Sequence, residues 1–229
     1  MANRYFVATL PEPGAATVEG DLAHHLGRVL RVRTGDSVRL GDGRGHTALA
    51  TVTAIGKQSI ALLVEPPVVE AAPALAVTLA FAVPKLARAE WLLEHGTELG
   101  VMAFQPLWTE RTRPQGERPE RWQRIVHAAA GQCDRAFLPA VLPALELAAW
   151  MATPAVPSQR LLASATGARG AVGLPTRGEV VLLVGPEGGF SADELARIAA
   201  AGFLPRRLGP HVLRTETAAL VGAAMLLAQ

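Results

Sequence analysis

Two short stretches of this 229-residue chain concentrate groups that could do chemistry. The first, Gly185-Pro186-Glu187-Gly188-Gly189-Phe190, follows a β-prone run and precedes Ser191-Ala192-Asp193-Glu194, which has the serine-to-glutamate spacing of a capping box. Glycines in such a loop let the backbone approach a ligand closely, and Glu187 adds a carboxylate. Taken alone, a turn of this kind is more often a tight connection than a binding loop. The second stretch, Leu208-Gly209-Pro210-His211-Val212-Leu213-Arg214-Thr215-Glu216-Thr217-Ala218, again runs from a strand through a loop into a helix. Arg214, Thr215 and Glu216 could position a phosphate, a hydroxyl and a proton acceptor there. By themselves they read more simply as a helix start with an acidic first turn. The chain has no G-x-G-x-x-G fingerprint and no phosphate-binding P-loop, which counts against a dinucleotide or a nucleoside triphosphate as ligand.

Both stretches belong to a part of the chain in which strands and helices alternate. Residues 75–83, 103–107, 160–164, 179–184 and 203–208 read as strands. Residues 85–99 read as a helix with Leu86, Ala89, Leu93 and Gly96 on one face and Gly100 as its stop. A second helix starts at Pro119 and sets Trp122, Ile125, Val126 and Ala129 on one face. A third follows Ser191 and stops near Gly202, and residues 217–227 form a last helix that is apolar all round. This alternation predicts an α/β domain with a mainly parallel sheet and ligands at the carboxyl ends of its strands. The apolar last helix must be buried, inside the domain or against a second subunit.

The region before residue 72 differs. Segments 4–10, 37–41, 47–55 and 59–64 are short, β-prone and separated by glycine turns, the pattern of a small β-barrel. A proline-rich linker, residues 65–73, closes it, so the domains are expected at 1–72 and 73–229. Arg28, Arg31, Arg33, Arg39 and Arg44 outnumber Asp36 and Asp42 here, beside His24, His25 and His46. Such a cluster suits a phosphate backbone, with salt-dependent binding. His24-His25 lacks a spaced third ligand, so no metal is expected.

Composition sets outer bounds. Half of the residues are apolar and 18% are charged, which favours folded domains over disorder. The longest apolar stretches fall short of a membrane span, and the amino terminus has no signal-peptide pattern. The lone Cys133 cannot form an internal disulfide and reads as a small apolar filler on a helix. A cytoplasmic protein is expected. The formal charge is +2, and twenty arginines against two lysines allow bidentate phosphate contacts. That ratio also fits codon bias in a GC-rich genome.

Taken together, the motifs resemble those of one family. Gly-Pro-Glu-Gly-Gly-Phe at 185–190 and the Leu-Arg-Thr-Glu-Thr-Ala run at 213–218 resemble the signature of the RsmE family of SPOUT methyltransferases. His24-His25-Leu26, Val29-Leu30-Arg31 and Gly35-Asp36 resemble that family's amino-terminal PUA-like RNA-binding barrel. Lys85, Glu98-Leu99-Gly100-Val101, Pro106-Leu107, Glu110-Arg111, Arg121-Trp122, Gln132, Arg135 and Pro139 match its middle part in order and spacing.

The resemblance implies a trefoil-knotted SPOUT domain that holds S-adenosylmethionine, works as a homodimer and methylates N3 of a uridine in 16S ribosomal RNA of the small ribosomal subunit. It places cofactor contacts at Ala163, Ser164, Gly185, Glu187, Gly188, Gly189, Leu208, Gly209, Val212, Leu213 and Arg214, and RNA contacts at His25, Arg28, Arg31, Arg33, Arg111 and Arg135. Arg214 is expected to orient the target nucleotide, and Glu216 to assist deprotonation or fix that arginine. The chain departs from the family pattern at Gly131 and Cys133, where Glu-Gln-Ser is usual around Gln132, at His211, where arginine is frequent, and at Thr112, where serine is usual. These changes leave open a second reading, a ribosome-assembly factor that kept the fold and lost methyl transfer. A SPOUT enzyme acting on a ribose or another base is a third.

Overall fold

The β-prone segments at the start of the chain build one sheet. The computed structural model describes residues 4–29, 31–112, 118–153, 156–169 and 173–228, apart from the side chains of Asp21, Arg28, Val29 and Arg169. The chain divides into two compact units, Met1–Ala72 with Ala130–Leu138, and Pro73–Ala129 with Pro139–Gln229.

The first unit holds β1 (Arg4–Phe6), β2 (Gly14–Glu19), α1 (Gly20–His24), a π-helical turn (His25–Val29), β3 (Ser37–Gly41), β4 (His46–Ile55), β5 (Ser59–Val64) and β6 (Val68–Val69). The strand order is β1-β3-β4-β5-β2, with β6 paired to β4. All pairings are antiparallel except β1 with β3. Ile60, Leu62 and Val64 alternate inward along β5 and meet Val38, Leu40, Ala50, Val52 and Leu26 in the core, as period-2 strand geometry requires.

Two expectations need correction here. The first strand ends at Phe6 and not at Leu10, and residues 14–19, unread in the sequence, form a full partner for β5. Gly14-Ala15-Ala16 carries almost no β propensity, so β5 imposes the strand through tertiary pairing. The expected linker also contributes, since Val68 and Val69 pair with Thr47 and His46.

The segment Ala130–Leu138 completes this unit through an ionic cluster. Arg4 is 5% exposed and pairs with Glu70 (2.9 Å) and Asp134 (3.2 Å), and Asp134 also meets Arg39. A Cβ on Gly131 would lie 2.6 Å from the Arg4 carbonyl oxygen. Glycine there is therefore required by close backbone packing, which explains the departure from the resembled pattern. Cys133 sits just past the helix that ends at Gln132 and is half-buried there.

The second unit contains β7 (Leu75–Ala82), α2 (Leu86–Leu99), β8 (Ala103–Trp108), α3 (Pro119–Gln132, its last residues in the first unit), β9 (Ala140–Val141), β10 (Leu145–Glu146) and α4 (Leu147–Met151). It continues with β11 (Gln159–Arg169), β12 (Gly178–Val184), α5 (Ala192–Ala200), β13 (Leu204–Arg207) and α6 (Thr215–Leu227). Its seven strands run in the order β10-β8-β7-β12-β11-β13, with β9 on β8, and every pairing is parallel. Both faces are covered. Val180, Leu182 and Val184 of β12 pack with α2 and α6, whereas Val181 and Leu183 pack with Ile198, Phe203, Leu147 and Trp150.

Local signals fix the ends of these elements. Gly100, in the left-handed region (φ 111°), caps α2. Ser191 and Glu194 form both halves of the capping box that starts α5. On α6, a Cβ at Gly222 would lie 2.3 Å from Leu182, so glycine alone lets this helix press against β12. The helix is buried or half-buried along nearly its whole length, as its apolar composition demands. No helix among the described residues is long and apolar enough to cross a membrane.

Candidate active site

The two motif loops meet at the carboxyl ends of β12 and β13. β11 lies between β12 and β13 and pairs with both in parallel, so the carboxyl ends of the three strands lie at one edge of the sheet. β11 contributes through an irregularity: Ala163 and Ala168 both oppose Arg206, and the intervening residues bulge out. A Cβ on Gly167 would lie 2.4 Å from the Pro205 carbonyl oxygen, so the bulge needs glycine at its base.

A cleft of about 210 Å³ forms between these strand ends. Of the expected cofactor residues, Ala163, Ser164, Gly185, Glu187, Gly189, Leu208, Gly209, Val212 and Leu213 line it. Gly188 and Arg214 do not. The lining also includes Pro186, inside the expected loop, and Ala165, Val184, Phe190, His211, Thr215 and Ala218, which sequence reasoning did not assign to the cofactor. Phe190 belongs to the quoted glycine motif, and Thr215 and Ala218 are one helical turn apart, so both signals were present in the sequence.

The cleft walls are mostly backbone and small or apolar side chains, with Glu187 and His211 as the larger polar ones. A Cβ at Gly185 would lie 2.8 Å from the Phe190 ring, whereas one at Gly209 would meet no protein atom within 4 Å and would stand in open space. A lining of backbone and apolar side chains with one carboxylate, that of Glu187, suits a nucleoside carrying a positive sulfur, since backbone amides and carbonyls can bind a base and ribose and a carboxylate favours a cation. Val212, 88% exposed, offers an apolar surface at the rim.

Among the described residues, three side chains from elsewhere in the chain hold the glycine loop. The Thr215 hydroxyl donates to the Gly185 carbonyl (2.9 Å), Arg111 donates to the Gly188 carbonyl, and Arg88 pairs with Glu187 (3.0 Å). Arg88 also faces Glu216 (3.6 Å), whose side chain is only 10% exposed and whose Oε2 is buried without a hydrogen-bond partner. Glu216 thus meets Arg88 and not Arg214. Arg214, at the start of α6, is exposed and makes no side-chain hydrogen bond or ion pair among the described residues.

The expected RNA contacts scatter over both units. His25, Arg31 and Arg33 are exposed in the first unit, where the His25 ring packs at 5.7 Å from Tyr5. Arg135 is half-buried there, and its desolvation pushes the guanidinium below its ordinary range. The Arg28 side chain lies outside the described residues. Arg111, in the second unit, is exposed but engaged with the glycine loop. Among the described residues no group of three His, Cys, Asp or Glu could hold a metal ion.

Comparison with known proteins decides the family. A family model described as the RNA methyltransferase domain matches residues 71–227, and one described as the RNA methyltransferase PUA domain matches residues 18–65. Ribosomal RNA small subunit methyltransferase E of Synechocystis sp. is 37% identical over 99% of this chain and 77% of its own length. The chain belongs to the ribosomal RNA small subunit methyltransferase E (RsmE) family. An RsmE from Mycobacterium tuberculosis is 36% identical, covering 96% of this chain and 89% of its own. The RsmE of Neisseria gonorrhoeae, solved bound to S-adenosyl methionine, superimposes with a TM-score of 0.88 at 30% identity over 98% of this chain and 96% of that one. A methyltransferase from Legionella pneumophila, in complex with the same cofactor, also gives 0.88 at 28% identity, covering 100% of this chain and 98% of that one.

Proposed function

We propose that this chain transfers the methyl group of S-adenosylmethionine to N3 of a specific uridine in 16S ribosomal RNA of the small ribosomal subunit. The observation that carries this reading is the cleft: nine of the eleven cofactor positions implied by the motifs line one opening at the strand ends, in a chain that matches RsmE proteins almost end to end. The bound cofactor supplies an electrophilic methyl on a positive sulfur. N3 of uridine must lose its proton as it attacks that carbon, while the sulfur keeps the electron pair of the broken bond. Alignment of the two partners can contribute about 7–11 kcal/mol to lowering the barrier.

The chain's own residues divide the work. Gly185, Gly189 and Gly209 let the backbone reach the cofactor, and Leu208, Val212 and Leu213 give it an apolar bed. Arg214, free of other partners among the described residues and exposed at the start of α6, orients the target nucleotide. Glu216 is a proton acceptor or a brace; its buried, unpartnered Oε2 supports the first role and its pairing with Arg88 the second. Exposed His25, Arg31 and Arg33 of the first unit, together with Arg28, Arg135 and the Arg111 donors that the Gly188 carbonyl does not take, form the RNA contacts of this reading. The target base must leave its stack or already be unpaired to reach the cleft.

The domains of this reading are a PUA-like RNA-binding unit over 1–72 and a knotted methyltransferase unit over 73–229. It includes a homodimer and a cytoplasmic site of action: the half-exposed apolar residues Leu220, Val221 and Leu227 of α6 suit cover by a second copy. Incubation with S-adenosylmethionine carrying a labelled methyl and small ribosomal subunits lacking the modification tests the activity. Label should enter 16S RNA and fall sharply with Glu216→Ala. Measurable cofactor binding without any transfer would count against this substrate.

A further inference from the structure

One side chain outside both motif loops touches an acidic residue from each. Arg88 lies on the first turn of α2, 99 residues from Glu187 and farther still from Glu216. Its Nη1 donates to Glu187 Oε1 at 3.0 Å, and its Nε faces Glu216 Oε1 at 3.6 Å. A planar guanidinium has donors pointing in fixed, divergent directions, so it can bridge two carboxylates in a way an ammonium does not reproduce. The surroundings make the bridge consequential. Glu216 is nearly buried and keeps one oxygen without a partner, so loss of Arg88, the one cation it pairs with among the described residues, would leave a buried charge uncompensated. Glu187 lies in the cleft wall, on the loop whose backbone forms the cleft floor. The remaining ties on that loop, from Thr215 and Arg111, go to backbone carbonyls, and neither joins side chains of the two motifs.

We propose that Arg88 is a positioning residue: it locks the Gly185–Gly189 loop and the start of α6 in one relative register and so sets the shape of the cofactor cleft. Its action runs through Glu187 and Glu216 and not through contact with the cofactor, since Arg88 does not line the cleft. This rests on the reading of that cleft as the S-adenosylmethionine site.

The test is a thermodynamic cycle on the full chain, read as the S-adenosylmethionine Kd by calorimetry. Arg88→Gln in the unsubstituted chain should weaken binding about tenfold, and it should raise hydrogen exchange at the 185–189 amides before cofactor is added. In a Glu187→Gln, Glu216→Gln background the same substitution should change the Kd by less than about twofold, because the groups it acts through are gone. Arg88→Lys should recover only part of the affinity, for want of the second donor direction. Equal weakening in both backgrounds, or none in the unsubstituted chain, would overturn the role of Arg88. Should Arg88→Gln fail to fold, the cycle with Arg88→Lys decides by the same criterion. Failure of the unsubstituted chain to bind S-adenosylmethionine would instead overturn the cleft reading itself, which separates the two.

Discussion

At the scale of single residues, the motif loops were readable because together they resemble the RsmE signature, although either alone reads as a tight connection or a helix start. The residues that brace them were not. Arg88 is one arginine on an ordinary amphipathic helix, and nothing within ten residues of it signals a partner at Glu187 or Glu216. Arg111 was singled out in the sequence for RNA, and nothing there signals that one of its donors also holds the Gly188 carbonyl. Arg214 is the complementary case, an exposed side chain outside the cleft lining and free of competing bonds among the described residues. Replacing it with alanine should therefore lower kcat about 10²-fold, the scale of losing one well-placed donor, while leaving the cofactor Kd within about threefold. Single-turnover kinetics beside calorimetry would check this, and a matching loss of cofactor affinity would move Arg214 from the RNA to the cofactor.

Whole elements were legible where periodicity runs long enough. α2, α5 and the buried strands β7, β8 and β12 fall within a residue or two of expectation, and α3 starts at the expected Pro119, because each repeats an apolar pattern beside a clear stop or start. β9 and β10, two residues each, and α4, five residues, are too short for any period to register. β2 failed for another reason, since Ala and Gly leave its conformation to the partner strand.

Two predictions belong at this scale. Gly131→Ala should destabilise the first unit by about 1–3 kcal/mol, since the added methyl collides with a backbone carbonyl that cannot turn aside. A lowered urea midpoint with an unchanged slope would show it. The second concerns the β3–β4 turn. Desolvation pushes the Asp42 carboxyl up, but hydrogen bonds from the Arg44 and His46 backbone and from the His46 ring, with the charge of that ring, outweigh it and hold the group below the ordinary carboxylate range. The folded state thus binds the Asp42 proton less readily than the unfolded state does. Its stabilisation should be present above the ordinary value of about 3.9 and lost as pH falls through the lowered one. Asp42→Asn should flatten the acid limb of the stability profile, and an unchanged limb would contradict the assignment.

The molecule as a whole joins a small sheet carrying exposed basic residues to a parallel sheet with a cleft at its strand ends. The α/β class and the two-part plan follow from the change in hydrophobic period near residue 72. That Ala130–Leu138 returns to the first unit does not, because it depends on Arg4 finding Asp134 across 130 residues of chain. Composition alone left the nucleic-acid reading open at a net charge of +2, and only the family relation resolves it.

The central claim is a methyl group placed on a base nitrogen of ribosomal RNA. The measurement that tests it most directly is mass spectrometry of nucleosides digested from small ribosomal subunits, unmodified at the start, after reaction with this chain and S-adenosylmethionine. N3-methyluridine at a single position of 16S RNA is the predicted product. A methyl on a ribose, on another base, or spread over many uridines would contradict it.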